Sequence, residues 1–313
     1  NQILRELLRG CIQKRGMHYY KLSDLMAELR AFSKNIHHPI DIIHYLDGEH
    51  SSQYLPFIYK SFFHRPKLVA MYHQPPDLLA KLIRKDVIRR LDAVIVVSPE
   101  QIPFFEEIID PEKIHLILHG IDTDFFKPGK GLKVCNKFKC ITVGHWFRDF
   151  VAIRKVAEKL SAYKDIEFHV VSSRRTGPQD LGLEDLPNVI LYRDTINDNC
   201  LREKYQQSDV LFLPLIQSTA NNALLEGLST GLPIVSTLLP SVKFYVPGRS
   251  AFLIENNNSD KFAATLLYLY NNPAERDRMG IESRRRAEEL DWHRIAPLYE
   301  DVYESLIHED TIR

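Results

Sequence analysis

The stretch TANNALLEGLSTGLPIVST, residues 219 to 237, places two amides and one carboxylate on an apolar helical pattern. Ser218 or Thr219 stands where an N-cap is needed, Gly231 where the C′ residue falls, and Pro233 follows two positions on. Free backbone N–H groups and the helix dipole make such an amino end an anion site. The turn Ser218-Thr219-Ala220 leads into it, and Asn221 and Asn222 add amide donors without adding charge. Glu226 lies farther along the same helix, some ~10 Å on at the α-helical rise. A carboxylate there accepts two hydrogen bonds from a vicinal diol. Phosphate at the helix tip and a ribose on its flank describe a nucleotide. The plainer reading is a capped helix with Glu226 turned to solvent.

Two other places carry chemistry. In VGHWFRDF, residues 143–150, Gly144 permits close backbone approach to a ligand, and Arg148 precedes a helix. A guanidinium there clamps a diphosphate in a bidentate way, or else pairs with Asp149 on the surface. In MYHQPP, residues 71–76, His73 ends a strand, and the proline pair fixes the loop behind it. Position at a strand's carboxyl end sets a functional role for His73 against a structural one.

Other signals point away from chemistry. The Asp-Thr-Asp at 122–124 reads as a turn or cap. The Pro-Gly-Lys-Gly at 128–131 lacks phosphate-loop spacing, and no G-x-G-x-x-G is present. The histidines show no metal-ligand spacing, so no metal is expected.

The elements that position these residues alternate in type. Strands are expected at 40–46, 67–73, 92–98 and 113–119, with helices at 77–91 and 99–109. A Gly/Lys-rich segment, 120–139, reads as a linker. Strands follow at 140–144, 166–173, 188–193, 209–215 and 233–237, with helices near 149–163, 199–207 and 221–230 and a helical tail from about 258. Val/Ile-rich strands alternating with helices imply parallel sheets covered on both faces. The expected domains are 1–130, 131–290 and a terminal helix, 291–313, returning to the first. Ligands then lie in the cleft, beyond the carboxyl ends of the strands.

The 313 residues suit two domains, and 41 basic against 41 acidic residues argue against a nucleic-acid partner. Four scattered cysteines, at 11, 135, 140 and 200, fit a reduced, cytoplasmic protein with each thiol buried and inert. No apolar run approaches a membrane span. The basic pattern over 77–91 reads as a solvated face, with peripheral contact at the inner face of a membrane as the alternative. The chain opens on Asn1 in a helical pattern, so a first strand and its loop are expected upstream of it.

In order, His73, SPEQIPFF, HGIDTDFFKP, VGHWFRDF, ANNALLEGLSTGLPIVST and the polar tail resemble the retaining glycosyltransferases of the GT-B fold, family 4 type. The resemblance is good from about residue 92 onward and sparse before residue 67. It implies two Rossmann-like, doubly wound domains facing a cleft, and transfer of a sugar from a UDP- or GDP-linked donor, without a metal or other cofactor. The acceptor is then a carbohydrate or a lipid-linked glycan. By that resemblance Glu226 holds the ribose, residues 219–222 contact the diphosphate and sugar, Arg148 neutralises the leaving group, and His73 sits at the catalytic centre. The family's E-x7-E pair has Ser218 at its first position, its arginine after the glycine turn is His145, and its Lys-Gly pair is missing. Ser218 in place of that glutamate, with the segment expected upstream of Asn1, motivates an alternative, a catalytically inactive binding or accessory subunit.

Overall fold

The computed structural model describes residues 20–59, 65–129, 137–172, 182–194, 196–246 and 248–312. They form two compact units, Asn1–Leu118 with Ala296–Arg313, and His119–Ile295.

The first unit carries a parallel sheet in the order β1 (Ile42–Tyr45), β2 (Lys67–Tyr72), β3 (Ala93–Val96), β4 (Ile114–Leu116). β3 is buried along its whole length, as the unbroken Ala-Val-Ile-Val run requires of an inner strand. Tyr45, Leu68, Tyr72, Leu79, Val94 and Phe105 belong to its core. The helix Leu22–His37 carries one buried charge, Glu28, which accepts from the hydroxyls of Tyr20 and Tyr45 and from the amides of Gln53, Tyr54 and Leu55. That set of donors repays the desolvation of the carboxylate.

The second unit carries six parallel strands: β5 (Phe138–Val143), β6 (Ile166–Val171), β7 (Val189–Tyr192), β8 (Val210–Leu213), β9 (Ile234–Thr237) and β10 (Ala251–Ile254). Their order is β10-β9-β8-β5-β6-β7. The chain therefore starts mid-sheet at β5, runs outward to β7, and returns to the other side of β5 as β8. That reversal makes a topological switch point between β5 and β8, where loops leaving the two carboxyl ends diverge.

Several expectations are corrected. The single helix at 77–91 is two, Pro76–Leu82 and Lys85–Ile88, broken where Ile83 and Arg84 are extended. Arg84 grips Asp86, and the guanidinium groups of Arg84 and Arg90 lie 5.2 and 4.2 Å from the Phe57 ring centre. Arg84 and Arg90 are thus held in local contacts, and the basic residues of 77–91 are divided between two short helices. The helix at 99–109 is a 3-10 turn, Pro99–Gln101, followed by Ile102–Glu106. β10 was not foreseen. Cys200 is exposed, against the buried thiol expected there, whereas Cys140 is buried; Cys11 and Cys135 lie outside the described residues. Asp122 forms the expected turn, accepting from the amides of Asp124 and Phe125. No helix among the described residues is long and apolar enough to cross a membrane.

Candidate active site

The helix Asn222–Ser229 begins beyond the end of β8, on a connection that turns at Ser218, Thr219 and Ala220. Its N-cap is Asn221, rather than Ser218 or Thr219: Asn221 Oδ1 faces the amide of Leu224, and its carbonyl accepts from Leu224 and Leu225. Ser218 is buried, donates from Oγ to the Thr219 carbonyl at 3.3 Å, and accepts at its own carbonyl from Ser241 Oγ. The preceding turn is thus tied down by the hydroxyls of Ser218 and Ser241, which leaves capping to the next amide side chain. The amides of Asn222 and Ala223, first in the helix, have no acceptor among the described residues. Gly231 ends the helix as expected, with Leu232 N bonded to the Gly227 carbonyl and Gly231 N to that of Leu228.

The second wall leaves β5. Gly144 takes φ +88°, open to glycine, and the peptide reverses through Phe147 at φ +56°. The loop is stitched to the one beyond β8: Asp149 N bonds to the Pro214 carbonyl at 3.0 Å and Ile216 N to that of Phe147 at 2.9 Å. Both exits from the switch point are therefore joined through their main chains. Asn257 reinforces the seam, donating to Asp149 Oδ2 and to the Leu215 carbonyl.

Arg148 lies between the walls. Its Nε donates to the Val143 carbonyl and Nη1 to that of Trp146, each at 2.8 Å, while Nη2 reaches Asn221 Oδ1 at 3.2 Å. Burial pulls the guanidinium down to about 10, and the nearby Tyr205 and Glu226 hold it up. The surface pair with Asp149 does not form, because Asp149 caps the helix Phe150–Lys159 through Ala152 N. Arg148 thus joins the glycine turn to the N-cap and leaves part of its fork uncommitted.

Glu226 is half-buried and does not turn away to bulk water: its Oε2 accepts from the Tyr205 hydroxyl at 2.7 Å. Burial pushes the Glu226 carboxyl up, while Tyr205 and Arg148 pull it back. Tyr205 is fully buried on the helix Asp198–Gln206. Sequence reasoning missed it, although it is the one aromatic in the otherwise polar DNCLREKYQ pattern.

One piece of structure therefore brings together Gly144, Arg148, Asn221 and Glu226, with Ser218, Thr219, Ala220 and Asn222 along the connection. Its two free amides, part of a guanidinium and a carboxylate farther on can take an anion at one end and a diol at the other.

His73 belongs to the first unit, just past β2. Its amide donates to Glu49 Oε1 at 2.9 Å, and the loop around it is held by Gln101, whose Nε2 donates to the carbonyls of Tyr72 and Gln74. Asp47, Glu49 and His50 bring ligand-type atoms within 4.8 Å of one another, a grouping that spacing rules overlooked. Each is already engaged, His50 Nδ1 with Asp47 and Glu49 with the His73 amide.

Residues 4–125 match the domain model described as Glycosyltransferase Family 4, and residues 145–272 match that of Glycosyl transferases group 1. A sucrose-phosphate synthase from Thermosynechococcus elongatus superposes with a TM-score of 0.74 at 17% identity, over 89% of this chain and 76% of that one. The chain has the GT-B glycosyltransferase fold. A glycosyltransferase from Rickettsia africae shares this fold with a TM-score of 0.70 at 15% identity, over 91% and 81% of the two chains. Among curated relatives of this GT-B chain, an MMP alpha-(1->4)-mannosyltransferase of Mycolicibacterium hassiacum is 24% identical over 237 residues, 72% of this chain and 57% of its own length. A D-inositol 3-phosphate glycosyltransferase of Streptomyces scabiei is 20% identical over 75% of this chain and 58% of its own. The chain thus spans somewhat over half the length of these two relatives.

Proposed function

We propose that this chain is a glycosyltransferase that moves a hexosyl group from a nucleoside-diphosphate sugar to a hydroxyl acceptor, with retention of configuration and without a metal. The observation that carries the reading is the convergence of unpartnered helix amides, Arg148 and Glu226 at the switch point between β5 and β8. The diphosphate sits at the amino end of Asn222–Ser229, and Glu226 accepts from the ribose hydroxyls. As the bond from the anomeric carbon to the diphosphate breaks, negative charge grows on the leaving group. The amides of Asn222 and Ala223, the helix dipole and Arg148 stabilise that charge. A fixed cation and oriented dipoles supply this without a metal. His73 joins the catalytic centre by family resemblance, and the relatives' names, a mannosyltransferase and an inositol-phosphate glycosyltransferase, favour a hexosyl donor and a hydroxylated acceptor.

The test is a thermal-shift screen with UDP, GDP and ADP and their sugars, followed by an assay for release of free nucleotide with and without sugar acceptors. Ligand-linked stabilisation and donor turnover are expected. Absence of any shift overturns the reading; binding without turnover of any donor favours the accessory-subunit alternative.

A further inference from the structure

We propose that Glu49 is a positioning residue for His73, holding its main chain and setting the protonation of its imidazole. The catalytic relevance of the pair rests on the reading of His73 given above; the pair itself does not.

Glu49 lies on the short helix Gly48–Ser51 that follows β1, and His73 is the first residue beyond β2. β1 and β2 are paired in parallel, so their carboxyl ends lie side by side. A side chain at Gly48 would press on the Met71 carbonyl and the Tyr72 ring, each 2.9 Å from the added carbon. Glycine there lets the helix settle against the end of β2 and brings Glu49 under His73.

Glu49 is 1% exposed. One oxygen accepts the His73 amide at 2.9 Å and stands 4.0 Å from His73 Nδ1. The other, Oε2, is buried with no hydrogen-bond partner among the described residues. A half-satisfied buried carboxylate is costly as a structural device, since a neutral acceptor would hold the amide as well. Its negative charge acts instead on the neighbouring imidazole. Burial, with Asp47 adding to it, pushes Glu49 up to about 7, into the range where imidazole titrates. The other groups that face the pair are Asp47, whose carboxylate is held down against burial by His50 and by the nearby His73, His50 itself, His44 of β1, and the buried Tyr72 hydroxyl. His44 stays neutral, drawn down to about 4 by burial, with His73 adding to the shift. With a carboxylate oxygen 4.0 Å from Nδ1, ionisation of Glu49 is expected to raise the proton affinity of the imidazole, and the two groups to titrate together.

The experiment follows the ring signals of Cε1-labelled histidine across pH, with the His73 signal assigned from its loss in His73→Asn. Glu49→Gln keeps an oxygen for the His73 amide and removes only the charge. The His73 midpoint is expected to fall by about one unit, a tenfold loss of proton affinity. A midpoint unmoved by Glu49→Gln overturns the proposal, because a purely structural bond survives that change. Should the variant not fold, the unmodified protein decides: a two-step His73 titration supports the pair, and a single step overturns it. Turnover of His73→Ala is scored separately. Full turnover alongside a coupled titration leaves the Glu49–His73 pair standing and removes His73 from the reaction.

Discussion

The Tyr205 hydroxyl donates to Glu226 Oε2 across 2.7 Å, so the carboxylate assigned to the ribose is held by a fully buried phenol from a neighbouring helix. One oxygen is thereby oriented while the other has no donor among the described residues, which suits a group that must receive a diol without searching rotamers. Tyr205→Phe should weaken nucleoside-diphosphate binding about three- to tenfold, the worth of one hydrogen bond of ~0.5–1.5 kcal/mol. The same change removes a bond that favours the ionised acid, so the Glu226 titration moves upward. Affinity should then fall away at a higher pH in the variant as the solution is acidified. Calorimetric titrations with UDP and GDP at pH 6 and 8 check both effects, and equal affinities for variant and wild type would separate Tyr205 from the site.

Asn221 serves two masters, the helix as its cap and Arg148 as an acceptor. Asn221→Asp keeps both contacts and adds a negative charge beside a guanidinium and a helix amino end, each of which welcomes it. Thermal stability should hold or rise. A diphosphate would now meet a resident carboxylate, so nucleotide affinity should drop tenfold or more. Asn221→Ala should instead cost ~1 kcal/mol of stability through the lost cap. Paired melting curves and nucleotide titrations separate the two roles. An aspartate variant that binds as well as wild type would place the phosphate elsewhere.

The glycine turn makes a third case. A methyl group at Gly144 would lie 2.8 Å from Arg148 Nη2, at a φ of +88° that alanine resists. Gly144→Ala should therefore cost more than ~1 kcal/mol and push Arg148 off Asn221. Loss of melting temperature together with loss of turnover is the expected pattern. A stable, fully active variant would show that the Arg148 bridge is dispensable.

Much of this was legible from local pattern. Nine of the strands announced themselves as short apolar runs, clearest in the inner strands β2, β3, β5, β6, β8 and β9, where burial on both faces calls for apolar side chains at most positions. β10, Ala251–Ile254, is a four-residue run, half-exposed throughout, that was not singled out. The helix break at Ile83 was hidden because Arg84 and Arg90 continue a helical spacing while packing on Phe57, a residue distant in sequence. In the site, the positions of Gly144, Asn221 and Glu226 followed from strand ends and helix spacing. Their partners did not: the contacts of Tyr205 with Glu226, of Asn257 with Asp149, and of Glu49 with His73 cross 21, 108 and 24 positions of chain. Only the sheet order brings such pairs together, and no local rule encodes it.

The buried acid in the first unit gives the last expectation. Glu49 titrates near 7 in the folded chain against an ordinary 4.5, so the folded state binds its proton more tightly than the unfolded state does. Its contribution to stability is fully present below pH 4.5 and is lost as pH rises through 7, by up to ~3 kcal/mol. His44 acts in the opposite sense. Drawn down to about 4 from 6.5, it withdraws stability as pH falls through that window. The two slopes offset each other in the wild-type protein, and Glu49→Gln removes one of them. Stability of the variant relative to wild type should therefore climb between pH 4.5 and 7, leaving the His44 slope uncovered. Urea melts at half-unit steps of pH measure the difference directly. A difference that stays flat across that range would mean that Glu49 keeps its charge throughout, with water reaching its carboxylate.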